Sequence, residues 1–147
     1  MITDASAVAE APGSLPPDAS RCAGVGRLTD PREITRLVPD LAGHDLSNPL
    51  LHFYRFFDHG VFLILPREHG LEMHTEFCED VDMGRAVNDF GCFKSQLAHD
   101  FPGQEWIYTP VAEVDRIKRR RIMFAARAFG FGLVASEGTN LIYRQPL

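Results

Sequence analysis

Halfway along LEMHTEFCEDVDMGRAVNDFGCFKSQL, the stretch from Leu71 to Leu97, the apolar period changes. That change constrains the fold more than any other feature of the chain. In the first half Leu71, Met73, Thr75 and Phe77 alternate with Glu72, His74, Glu76 and Cys78. Side chains of a strand switch faces at each residue, so this half reads as a strand over 71–78 with one apolar and one ionisable face. In the second half Met83, Ala86, Val87, Phe90, Phe93 and Leu97 recur every three or four residues, the period of a buried helical face. A short acidic loop containing Gly84 joins the two. Strand end, free backbone amides and helix N-terminus then meet in one place, a common way to build a site.

The flanking chain supplies the remaining elements. Residues 1–21 are rich in Ala, Ser, Pro, Asp and Gly and read as a mobile tail. Residues 22–147 read as a single domain, beginning with a strand over Cys22 to Leu28. Asp30-Pro31-Arg32-Glu33 is a helix start, with Asp30 as cap, Pro31 in the first turn and Glu33 reaching back. Ile34, Leu37, Val38 and Leu41 are its buried stripe. Leu50, Phe53, Tyr54 and Phe57 have helical spacing and predict a second helix from about Asn48 to Asp58. Val61 to Leu65 is a continuous apolar run of strand length, and Pro66 to Gly70 turns it into the 71–78 strand. Glu105 to Val111 is the next strand. Asp115 caps a helix whose predicted inner face is Ile117, Phe124, Ala125 and Ala128. Leu133–Ala135 and Leu141–Tyr143 flank a hairpin turn. The order is β-α-α-β-β-α-β-α-β-β, which predicts an α/β chain with a mixed central sheet and helices on both faces.

With 45% apolar and 24% charged residues, the 147-residue chain has an ordinary soluble composition. The net charge of −5 argues against a general nucleic-acid binder, yet it is unevenly spread. Residues 72–110 carry eight acidic and two basic side chains, and residues 111–147 carry three and seven. Cys22, Cys78 and Cys92 are odd in number, widely spaced and without a CxxC pair, so neither a disulfide framework nor a structural zinc site is expected. A reducing cytoplasm is the default compartment. No apolar run has the length of a membrane span, and no basic segment precedes an apolar core, so no signal peptide is expected.

The element order around His74-Thr75, the loop Glu79-Asp80-Val81-Asp82-Met83-Gly84 and the ending Ala126-Arg127-Ala128-Phe129-Gly130-Phe131 resembles the GNAT family of N-acetyltransferases. The resemblance covers about residues 22–145. It is closest to small phage and prophage members, in which a His-Thr pair on the fourth strand precedes the cofactor loop and a Gly-Phe ending follows the last long helix. It implies a GNAT-like mixed sheet and acetyl-CoA as cofactor, held by Phe77, Cys78, Gly84, Arg85 and Ala86. It also implies an amine acceptor, whose identity it leaves open. The chain departs from the family in two places. Glu79 and Asp82 stand in a loop that usually reads Gln/Arg-x-x-Gly-x-Gly/Ala. Ala126 stands where many members carry a tyrosine.

Several side chains can carry chemistry. Glu76 or His74 is suited to act as general base on an amine, and Tyr108 can stand in for the absent helix tyrosine as acid. His with carboxylates two residues apart also suits a metal, but the sequence defines no complete ligand set. Cys78, two strand steps from His74, would be a nucleophile only with a lowered pKa. Arg116, Lys118, Arg119, Arg120 and Arg121 form a basic run that suits nucleic acid or an acidic protein. The expected function is therefore an acyltransferase acting on an amine. The alternative is a GNAT-like protein that has lost acetyl-CoA and binds a host protein or nucleic acid, a phage DNA-base-modifying role included. An exposed last strand at Leu141–Tyr143 offers a contact for a homodimer.

Overall fold

The computed structural model describes residues 21–112 and 115–147. Apart from Arg21, the expected tail lies outside them. The elements are β1 (Val25–Leu28), α1 (Pro31–Leu37), a 3-10 turn (Pro39–Leu41), β2 (His52–Phe56), β3 (Gly60–Arg67), β4 (Gly70–Phe77), α2 (Met83–Asp100), β5 (Trp106–Val111), α3 (Arg116–Ala128), β6 (Gly132–Glu137) and β7 (Asn140–Pro146). The seven strands form one mixed sheet in the order β1-β2-β3-β4-β5-β7-β6. β4 and β5 run parallel, and every other neighbouring pair is antiparallel. The chain is thus α+β.

Helices cover both faces of the sheet. α2 and α3 enclose the main core, where Phe56, Phe62, Phe90, Phe93 and Phe129 pack as a cluster. Phe62 and Phe93 meet edge to face at 4.5 Å, and Phe90 and Phe129 stack at 4.5 Å. Such pairs add to simple burial because ring edges are positive and ring faces negative. On the other face Leu28, Ile34, Val38, Phe53 and Val61 form a smaller core under α1.

Local chemistry sets the boundaries. Asp30 accepts a hydrogen bond from the Arg32 amide at 2.9 Å, so α1 starts as its cap predicts. Glu33 pairs with Arg36 at 3.5 Å rather than reaching back to the cap. The helix ends at Leu37, short of the Leu41 expected in its stripe, because Pro39 disfavours helical backbone at the preceding residue. Asp82 and Asp115 cap α2 and α3, accepting from the Arg85 and Ile117 amides.

Two elements differ from the sequence reading. The predicted second helix is strand β2: Tyr54 and Phe56 enter the main core, Phe53 enters the smaller one, and Arg55 is exposed. A run of aromatics suits a strand covered on both faces. Gly60 opens β3. A β-carbon there would lie 2.2 Å from the Glu76 carbonyl oxygen, so the hairpin needs glycine. α3 is rotated about its axis relative to expectation. Ala125, Ala126 and Phe129 face the core, whereas Ile117 and Phe124 are 70% and 63% exposed. Small alanines let the helix lie close to the sheet.

Two further expectations are corrected. β7 is not an edge; it lies between β5 and β6, and the edge is β6, exposed along its whole length with a register shift between Leu133 and Ala135. Cys22 and Cys92 form a disulfide across 70 residues of sequence, joining the start of the described chain to α2. Neither the odd cysteine count nor the spacing signals this pair. Closing a loop of that length stabilises a fold by about 4 kcal/mol in the chain-entropy account. The double substitution Cys22→Ser/Cys92→Ser should lower Tm by about 10 °C. Scanning calorimetry with and without reductant checks this: reductant should lower the wild-type Tm and leave the variant unmoved.

Candidate functional site

The parallel pair β4–β5 is in register only at Leu71↔Ile107 and Glu72↔Tyr108. Beyond those pairs the strands part towards their C-terminal ends. The stretch of β4 from Met73 to Phe77 has no ladder partner on the β5 side, although it stays fully paired to β3. Sheets containing parallel strands place their ligand crevices outside such carboxyl ends.

The alternation of β4 is as the sequence predicts. Leu71 and Met73 point into the main core. Thr75 points the same way and lines a cavity of only about 10 Å³ with Thr109 and Ala126. On the opposite face His74 and Glu76 line a larger cavity of about 80 Å³ over Leu41, Phe53, Val61 and Leu63. Both proposed bases therefore face one hollow with an apolar floor.

Glu72 is the hub of this face, and the sequence reading did not single it out. One carboxylate oxygen lies 2.5 Å from Nε2 of His74. The other accepts from Nε of Arg67 at 3.1 Å and from the Tyr108 hydroxyl at 3.3 Å. Burial opposes the Glu72 charge, but the hydrogen bonds from His74 and Arg67, with their charges, outweigh it and hold the carboxyl below its ordinary 4.5. Burial, and then the Glu72 charge, push the Tyr108 phenol up, which keeps its proton in place. Three of the predicted residues are thus brought onto one face: His74 and Tyr108 are joined through Glu72, and Glu76 stands beside His74 with no ion pair among the described residues.

The residues expected to hold a cofactor are more dispersed. Phe77 packs on Phe62 and Phe129 at 6.1 and 6.0 Å. The Cys78 thiol is pushed up by burial and by Asp80 and Asp58, against the nucleophile reading. At the start of α2 the Asp82 carboxylate takes the Arg85 amide at 3.2 Å, and the Asp82 carbonyl takes the Ala86 amide at 3.0 Å. Ala86 is fully buried. The Arg85 guanidinium lies 3.5 Å from Asp58. Of this group Gly84 and Arg85 stay at the surface.

The sequence reading also missed His59. It is 1% exposed, with Nε2 2.8 Å from the Asp89 carboxylate and Nδ1 3.5 Å from Asp58. Its carbonyl accepts the Cys78 amide at 2.8 Å. The imidazole ties the β2–β3 turn to α2, and the backbone carbonyl ties it to the end of β4. Only its position beside Gly60 in a hairpin could have suggested the role.

Comparison of the chain with protein-family models, curated proteins and solved structures finds no match. Among the described residues, no helix is long and apolar enough to cross a membrane.

A depressed folded-state pKa contributes stability that is complete above the unfolded value and is lost as pH falls through the folded one. Glu72→Gln should therefore lower Tm by its full amount at pH 6–7, and the gap to wild type should close below about pH 4.5. A Tm–pH series on both proteins checks the sign. A gap that widens on acidification would contradict the assignment of Glu72 as the paired carboxylate.

Proposed function

We propose that this protein is an acyltransferase of GNAT-like architecture, moving an acetyl or related group from a thioester such as acyl-CoA to an amine. The observation that carries the proposal is the parting of parallel β4 and β5 beside a row of ionisable side chains on β4. A split of this kind offers unpaired strand backbone to an extended chain bearing amides, as a pantetheine arm does. The cavity over Phe53 and Leu63 lies on the face with Glu76 and His74, so an amine there would meet a base.

In the reaction Glu76 takes a proton from the ammonium, with His74 beside it. The free amine nitrogen attacks the thioester carbon. The C–N bond forms, the nitrogen gives up its second proton to solvent, the C–S bond breaks, and the thiolate leaves. Tyr108 is the hydroxyl on this face that can return a proton to it. Glu72 holds His74 and Tyr108 in place and takes no part in bonding.

The fit to a whole acyl-CoA is uneven. The strand split suits the arm. The start of α2 suits a pyrophosphate poorly, because Asp82 uses the Arg85 amide and Glu79 and Asp80 precede it. That mismatch favours a second reading, a GNAT-like protein that binds a partner without catalysis. The compartment follows from the choice. Acyl thioesters place the protein in the cytoplasm, whereas the Cys22–Cys92 bond is favoured by an oxidising compartment.

The test is thiol release from acetyl-CoA and acetyl-pantetheine at millimolar concentration over a panel of amines. Glu76→Gln should lower the rate by about 10²-fold or more with Tm unchanged. Thiol release from neither donor would leave the partner-binding reading standing.

A further inference from the structure

We propose that the acyl donor is a small acidic carrier protein presenting its acyl group on a phosphopantetheine arm, and that it docks on the outward face of α3. The proposal rests on the acyl-transfer reading and names the donor for it. Two features carry it, both at the end of the sheet where β4 and β5 part.

The first is the β4–α2 turn. Glu79, Asp80 and Asp82 crowd it, all exposed, and the Asp82 carboxylate already takes the Arg85 amide in the first turn of α2. Free CoA would bring a pyrophosphate and a ribose phosphate to this acidic turn, and like charges at contact distance repel. A carrier-borne arm has the same two amides and the same thioester. Its single phosphodiester stays at the surface of the carrier, outside the split.

The second is α3, which begins five residues after β5 ends, at the same open end. Its inner face closes the split through Ile122, Ala125 and Ala126. Its outer face carries Ile117 and Phe124, two turns apart on one line and mostly exposed. Arg116, Arg120, Arg121 and Arg127 surround them, all exposed. Apolar anchors inside a ring of cations complement an acidic helix that shows a few apolar side chains, with the charges steering encounter and the anchors holding it. Nucleic acid fits less well. Its continuous polyphosphate would meet the acidic turn at the same end, and it has no use for Ile117.

The experiment compares three donors of one acetyl group with full-length protein: acetyl-CoA, acetyl-pantetheine and an acidic acyl carrier protein loaded with acetyl-phosphopantetheine. Each is tested on wild type, Arg120→Glu/Arg121→Glu and Phe124→Ala. The expected result is a kcat/KM for the carrier about 100-fold above that for CoA. It should fall about tenfold or more in each variant and with added salt, while acetyl-pantetheine turns over unchanged. Unchanged pantetheine turnover also shows that the variants fold. Equal use of CoA and carrier, or variants indifferent to the carrier, overturns the docking proposal and leaves acyl transfer standing. No turnover with any donor overturns both. Binding of an oligonucleotide that the same variants abolish assigns α3 to nucleic acid instead.

Discussion

The one parallel junction among the described strands, β4 beside β5, sets the rest of the structure. Parallel neighbours cannot be joined by a hairpin, so the chain must cross over the sheet between them. α2 is that crossover, and its 18 residues span the sheet. Phe90 and Phe93 pin it to Phe56, Phe62 and Phe129. Once α2 occupies that face, the polar side of β4 is left to the thinner cover of α1 and the 3-10 turn. A hollow remains there, and the two strands separate just where their pairing ends.

The electrostatics of the hollow follow from which strands meet. Glu72 lies in register with Tyr108 on β5 and within reach of Arg67 at the end of β3. It is therefore the satisfied carboxylate. Glu76, two steps on, lies opposite Val61, whose side chain offers neither charge nor hydrogen bond. One strand thus carries a fixed carboxylate and an open one four residues apart, and only the open one is suited to exchange protons with a ligand.

That division was beyond the sequence, although much around it was not. The β4–α2 stretch was legible because both of its periods are local, and Asp30 and Asp115 were legible as caps for the same reason. β2 was not, because Leu50, Phe53, Tyr54 and Phe57 fit a helical face as well as aromatics on a doubly covered strand. Only the sheet decides between them. The rotation of α3 was hidden because alanine contributes little to an apolar pattern, yet Ala125 and Ala126 are what the sheet accepts at close range. Glu72 looked like one member of a stripe until Arg67 and Tyr108 arrived from other strands. The Cys22–Cys92 pair exists only once β1 has been brought beside α2.

The register shift in β6 bears on how the protein behaves at high concentration. β6 is a free edge with Leu133 and Val134 exposed. A straight edge of that composition would be a template on which another chain could lay a strand. The extra residue between Leu133 and Ala135 breaks the even spacing of outward amides and carbonyls and sharpens the local twist. An incoming strand finds no continuous ladder to extend, so the bulge makes this edge a poorer template than a straight strand.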